Sequence, residues 1–382
     1  MNWRGNLLRF CEVAGLPILE PFVRLAAGEE KRPQFIGMAK FILLPVVAVL
    51  VFMAFWSSAA GIIITDSARM PSPASTWAAG KQLIAMHYEQ KRTDAEKKKA
   101  KTVEAVKFMA EAKAYDAAAV KATGDEKAAL AAKALSLKKR AVSAANFQAT
   151  SADTFINQIW TSLKTVFFGF FMATAIAIPL GVLCGMSPWF NAALNPFVQI
   201  FKPVSPLAWL PLAFIVIMWW FSSSTPLNNA IESVFSYFNI DSTKAFLISA
   251  STVCLCSLWP TLVNTTLGVA SVDKDFINVA DVLRLSWWQR LTKIILPASL
   301  PLMFAGMRIS LGVGWMVLIA ADMLAQNPGL GKFVWDEFQN GSDLTYARIA
   351  FSVIVIGLIG LLLDRVMIFL RNLVSFGNPS PA

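Results

Sequence analysis

The chain has 382 residues, 56% of them hydrophobic and only 15% charged. Soluble domains carry about 25% charged residues, so this composition excludes an ordinary soluble globular protein. The net charge is +10, but Lys81 to Arg140 alone holds 15 basic and 8 acidic residues, so +7 of it is local. The basic balance therefore calls for no nucleic-acid partner.

In the N-terminal tail, Trp3, Leu7, Phe10 and Ala14 share one helical face beside Arg4 and Arg9. This pattern fits a helix lying in a membrane interface, ending before Pro17. Phe41–Ile64 then runs without a charge. About 20 apolar residues span a bilayer as a helix, because lipid offers no partners to backbone polar groups. The run is too long, and too far from the start, for a signal peptide. Further spans are expected at about 155–186, 194–221, 244–269, 299–325 and 346–372, the first lying at about 40–65.

Between the first two spans, residues 66–153 are rich in Ala, Lys and Glu, strong helix formers. Asp94 with Lys98 and Glu104 with Lys107 are favourably spaced on a helix surface. Val103, Val106 and Ala110 form one thin apolar stripe, and Leu130, Ala134, Leu137 and Ala141 another. Thr123-Gly124-Asp125 breaks the pattern between them, which predicts an antiparallel helical hairpin. Its role is either a docking surface or a solvated spacer. His87, the one histidine, falls in this segment and is expected to be solvated. Cys11, Cys184, Cys254 and Cys256 form neither a disulfide framework nor a metal site.

Pro179, Pro203, Pro206, Pro211 and Pro260 fall within the second to fourth spans, where neighbours can re-satisfy a freed carbonyl. Gly181-x-x-x-Gly185 would let two helix backbones approach closely. The 270–298 loop carries Lys274, Arg284, Arg290 and Lys293, which places it and both termini in the cytoplasm. The hairpin then lies outside; long segments translocate largely regardless of charge. The expected fold is all-α and polytopic. It comprises a cytoplasmic tail (1–39), a first span (40–65), an extra-membrane hairpin (66–153), a five-helix core (154–372) and a cytoplasmic tail (373–382).

Asp273–Pro297 reads as two short helices between spans four and five. Asp273 can cap the first. Ser286 can cap the second, with Gln289 in the reciprocal position. Leu283 and Leu285 sit at the bend. Trp287, Trp288, Leu291, Ile294 and Ile295 give the second helix a wide apolar surface at the membrane. Pro297 closes the segment before the next span. Such an elbow can pass a push from a soluble partner into the spans.

This segment resembles the coupling loop of bacterial ABC-importer permeases, whose pattern is E-A-A, three residues, G, nine residues, I-x-L-P. The matching residues are Asn278-Val279-Ala280, then Arg284, then Ile294, Leu296 and Pro297. Pro203–Pro211, Gly306-Met307-Arg308, Ala320–Leu324, Gly329-Leu330-Gly331 and Val334-Trp335-Asp336 resemble further motifs, and the likeness covers about 155–372. The details look most like permeases of the nitrate/nitrite type, whose relatives import taurine, alkanesulfonates, cyanate or bicarbonate. The resemblance implies a homodimer or paired permease in the bacterial inner membrane, two cytoplasmic ATPase subunits and a periplasmic binding protein. No cofactor is implied on this chain: it has no Walker-type phosphate loop, so ATP belongs to partners and the chain is not itself an enzyme. The coupling residues carried over are Asn278, Val279, Ala280, Asp281, Arg284, Leu285, Ser286, Leu296 and Pro297.

Two departures stand out. Asn278 replaces the family Glu, and Asp281 is the candidate to supply that negative charge. Arg284 replaces the family Gly, so the turn is expected not to rely on glycine's access to positive φ. Inside the membrane, ionisable residues cost about 2.5–3.5 kcal/mol each at a helix centre. The candidates are Lys164, Lys202, Arg308 and Asp322. Lys202 or Arg308 is assigned to an anion pathway; the alternatives are that each sits near an interface and snorkels, or that Arg308 pairs structurally with an acidic neighbour, the kind of pairing preferred for Asp322. A secondary transporter would leave the elbow unexplained, and no inverted repeat is evident. A membrane enzyme would need clustered catalytic groups that the spans lack.

Overall fold

The computed structural model describes residues 20–28, 31–63, 69–121, 124–145, 153–222, 225–237 and 243–374. The expected interfacial face of Trp3, Leu7, Phe10 and Ala14 lies outside them. The described chain divides into two units, residues 80–156 and the remainder.

Among the described residues of the larger unit, five helices are long and apolar enough to cross a membrane, or six if a bent pair counts as one span. The first runs Phe35–Ile62, with its apolar side chains exposed along its length. The core helices are α1 (Phe155–Met186), α2 (Pro188–Phe201), α3 (Pro206–Ser222), α4 (Thr243–Ala270), α5 (Leu296–Ala325), α6 (Leu330–Asn340) and α7 (Asp343–Val374).

The third span is not the continuous helix expected over 194–221. Helices α2 and α3 meet at 105° across Lys202–Ser205. Lys202 keeps helical torsions, φ −55° and ψ −44°, but Pro206 biases the residue before it, Ser205, away from helical geometry. Phe201 packs at the bend against Trp209, centroids 5.5 Å apart, and Trp259, 6.0 Å apart.

Helices α4 and α5 pack against each other extensively. Their seam is built from small and hydroxylated residues. Pro260 in α4 lacks an N–H, and its ring crowds the carbonyl four residues back. Ser310 of α5 repairs the ladder just beyond. Its hydroxyl donates to the Ser257 carbonyl, 2.5 Å, and accepts from the Thr261 N–H, 3.0 Å. Helix α1 docks on α4 at Gly181 and Gly185. A Cβ added there would lie 2.6 Å from Thr265 Cβ and 2.5 Å from Val269 Cβ respectively.

The smaller unit is an antiparallel hairpin formed from the end of a 49-residue helix, Pro73–Lys121, and a 21-residue helix, Asp125–Ala145. Gly124 turns the chain at φ +68°. Lys138 pairs with Asp116 at 2.6 Å, and Lys133 lies over the Tyr115 ring. Ala134, Leu137 and Ala141 are buried, but the stripe expected on the first helix is not. Val103 and Val106 are exposed, and Ala105, Ala112 and Ala119 make the buried face. In so alanine-rich a helix, alanines can approach a partner more closely than valines, so hydrophobicity alone misidentifies the seam. Glu104 pairs with Lys101 at 2.6 Å, and Arg92 with Glu96 at 3.3 Å. His87 is half-buried rather than solvated, its Nδ1 2.6 Å from Thr154 Oγ1.

Candidate functional site

The elbow between spans four and five opens with α8 (Lys274–Val282). The Asp273 carboxylate accepts from the Asp275 N–H at 3.0 Å and caps it. The helix ends in a Schellman turn. The Leu285 N–H donates to the Ala280 carbonyl at 3.0 Å, and the Arg284 N–H to the Asp281 carbonyl at 3.0 Å. Arg284 sits at φ +48°. The turn therefore keeps the left-handed conformation that glycine adopts at no cost, with a non-glycine residue in it. The two terminal carbonyls gain hydrogen bonds only if this residue turns left-handed.

The second helix, α9 (Trp287–Arg290), opens with a complete capping box. Ser286 N–H donates to Gln289 Oε1 at 3.0 Å, and Gln289 N–H donates to Ser286 Oγ at 3.4 Å. This helix does not stop at Pro297. It widens into a π-helical turn over Leu291–Ile295 and continues into α5, giving one apolar helix from Trp287 to Ala325. Pro297 stands second in α5. Its ring would crowd the Lys293 carbonyl in a regular helix, and the wide turn falls where that crowding must be relieved. The first span does the same, widening over Ala39–Leu43 before Pro45.

Leu291 and Ile295 are not part of an exposed surface. They are buried with Val182, Val269 and Val272, which seats the elbow on α1 and α4. Ala280 is fully buried, and Leu285 is half-buried. Asn278, Val279, Asp281, Arg284, Ser286 and Pro297 are exposed, and Leu296 is half-buried. An apolar patch of Phe276, Val279, Val282, Leu283, Trp287 and Trp288 also stands exposed. Asp281 forms an ion pair with Arg290 across the bend, so its charge is engaged within the elbow.

The membrane charges occupy different places. Lys202 is exposed at the break of the third span, and Lys164 is half-buried in α1. Arg308 of α5 makes a two-pronged pair with Asp364 of α7, Nε–Oδ1 2.5 Å and Nη2–Oδ2 2.9 Å. Asp322, near the end of α5, is fully buried. It accepts from Ser162 Oγ and from Asn327 Nδ2, each at 2.7 Å. Ser162 accepts in turn from the Leu330 N–H at 2.9 Å. The cluster fastens α1 and α5 to the start of α6.

Sequence reasoning named neither Ser162 nor Asn327 nor Asp364. Ser162 and Asp322 lie 160 residues apart, and one serine in a span carries no signal of its partner. The Gly329-Leu330-Gly331 motif was the accessible sign. A Cβ on Gly329 would collide with the Asp322 carboxylate and the Ser162 hydroxyl, and one on Gly331 with the Ile319 carbonyl. Helix α6 is then pinned to α7 by Glu337 and Arg348, 3.1 Å apart and largely buried.

Residues 177–376 match the family described as "Binding-protein-dependent transport system inner membrane component". The nitrate import permease protein NrtB of Synechocystis sp. is 35% identical over 217 residues, 57% of this chain and 69% of its own length. The protein of that name from Synechococcus elongatus is 32% identical over 218 residues, again 57% and 69%. The bicarbonate transport system permease protein CmpB of Synechocystis sp. is 34% identical over 222 residues, 58% of this chain and 69% of its own length. These relatives are permeases rather than enzymes. The chain belongs to the inner-membrane permease family of binding-protein-dependent ABC importers, within its nitrate/bicarbonate group.

Proposed function

We propose that this permease forms, with a second permease subunit, the pathway by which a small oxyanion enters the cell, nitrate or nitrite being the first candidate. A binding protein outside delivers the anion, and two ATPases inside drive alternating access. The elbow carries the reading: an element whose two helices are each capped at the N-terminus, turned by a Schellman motif and continuous with span five, suits a lever. Asn278, Val279, Asp281, Arg284 and Ser286 present its exposed side to an ATPase. Ala280, Leu285, Leu296 and Pro297 fix its shape. Lys202, at the break of the third span, and Arg308, between spans five and six, are the cationic positions for an anion's path. With these assignments the elbow and both termini face the cytoplasm.

Bicarbonate is the second reading, supported by the bicarbonate permease at 34% identity, between the 32% and 35% of the nitrate relatives. Taurine, alkanesulfonate and cyanate are the remaining candidates within the class. The test is substrate-stimulated ATPase activity of the reconstituted complex with its binding protein. Nitrate, nitrite, bicarbonate and taurine are compared at equal concentrations. Nitrate stimulation supports the first reading, and stimulation by bicarbonate alone replaces it with the second. Downhill transport by the chain without any ATPase would overturn both.

A further inference from the structure

Arg308 and Asp364 are the two halves of a planar fork. The guanidinium presents two N–H groups and the carboxylate returns two oxygens, at 2.5 and 2.9 Å. Nitrate and bicarbonate are planar too, and each offers two in-plane oxygens at nearly the spacing of a carboxylate. Arginine's rigid fork is suited to both kinds of partner.

The depth of the pair matters. At 1.5 Å per residue, Arg308 stands about 18 Å along α5 from Leu296. Asp364 stands about 15 Å from the end of α7 at Val374. A hydrocarbon core is about 30 Å thick, and both residues fall inside helices long and apolar enough to cross it. Yet each side chain is 39% exposed on this chain. Charges at that depth do not face lipid; this face is covered by water or by protein. The neighbouring surface of this chain is open as well. Gly312 lies one turn beyond Arg308, and a Cβ added there would meet nothing within 4 Å.

Nor is the pair the only clasp between spans five and six. Trp315 Nε1 donates to the Ile356 carbonyl at 3.0 Å, and Gly360 lies against the Trp315 ring. The spans remain joined when the fork is open.

We propose that Asp364 is a built-in stand-in for the transported oxyanion, holding the Arg308 fork when the pathway is empty and yielding it to the substrate. The inference rests on the oxyanion reading above and adds a residue that sets affinity. An internal carboxylate keeps a deep arginine neutralised between transport events. It also prevents the anion from binding so tightly that it cannot leave.

The experiment is a calorimetric titration of the complete permease–ATPase complex in nanodiscs, without the binding protein, using nitrate and then bicarbonate. Asp364→Asn removes the competitor and is expected to tighten anion binding about tenfold, the scale of one charge-assisted hydrogen bond. Arg308→Lys keeps the charge but not the fork and is expected to weaken binding about tenfold. It keeps the proposal testable if Asp364→Asn fails to assemble. Unchanged affinity in Arg308→Lys, or in an assembled Asp364→Asn complex, while the wild type binds nitrate or bicarbonate, would reduce the pair to a clamp and sink this inference alone. A wild-type complex that transports neither anion would remove the oxyanion reading and this inference with it.

Discussion

Asp281 and Arg290 form an ion pair across the bend of the elbow, one on each of its two helices. The Asp281 side chain is 61% exposed, and exposed pairs contribute only about 0–1 kcal/mol to stability. Asp281→Asn should therefore leave the melting temperature of the complex nearly unchanged. The consequence falls on stiffness, because the pair fixes the angle between α8 and a helix that runs on to Ala325. Substrate-stimulated ATPase activity should fall several-fold while basal hydrolysis persists. Equal loss of both activities would show that the pair holds the ATPase rather than the angle.

Arg284 at φ +48° offers a cleaner stability test. A non-glycine residue in the left-handed region carries a penalty of about 1–2 kcal/mol. Arg284→Gly relieves it, offset in part by glycine's greater freedom in the unfolded chain. A net gain of about 0.5–1 kcal/mol is expected, visible as slower amide exchange at Leu285. Arg284→Val should act in the opposite direction, since a β-branched residue tolerates this conformation worst. A valine variant as stable as the wild type would contradict the assignment of the turn.

The elbow was legible because its signals are local. Asp273, Ser286 and Gln289 reach backbone groups two or three residues away, so residue type and spacing carry the information. The spans were legible for the same reason, as unbroken apolar runs. The break at Lys202–Ser205 was not, because prolines inside spans signal both tolerated kinks and true interruptions, and only packing decides between them. The fork of Arg308 and Asp364 joins residues 56 apart, and the Asp322 cluster joins residues 160 apart. Such partners are chosen by which helices meet, a property of the assembled bundle. The hairpin seam was misplaced on Val103 and Val106 because close helix approach selects Ala105, Ala112 and Ala119 by size.

Gly329 and Gly312 give opposite expectations for one substitution. Gly329→Ala drives a methyl group into the Asp322 carboxylate and the Ser162 hydroxyl, whereas Gly312→Ala enters open space. Overpacking of this kind costs about 1–3 kcal/mol, and here it also displaces buried hydrogen bonds. Thermal unfolding of the purified complex should shift down markedly for Gly329→Ala and hardly for Gly312→Ala. Equal shifts would mean that α6 does not approach Asp322 as closely as these contacts require.

The hairpin offers the last test, through the contrast between Ala112 and Val106. Ala112 is fully buried at the seam, and Val106 is 65% exposed on the other face of the same helix. Ala112→Leu must push the two helices apart, because nothing at a fully buried alanine can make way for three more carbons without moving backbone; the cost is again about 1–3 kcal/mol. Val106→Leu adds one carbon in solvent and should cost nothing measurable. The pair Lys138–Asp116 reports the separation: cysteines placed at 116 and 138 should be bridged readily by a short bifunctional thiol reagent in the parent and slowly beside Ala112→Leu. Transport measured on the same variants then separates the two readings of the segment. A spacer tolerates an opened seam with uptake unchanged, whereas a docking surface loses uptake in proportion to the loss of cross-linking.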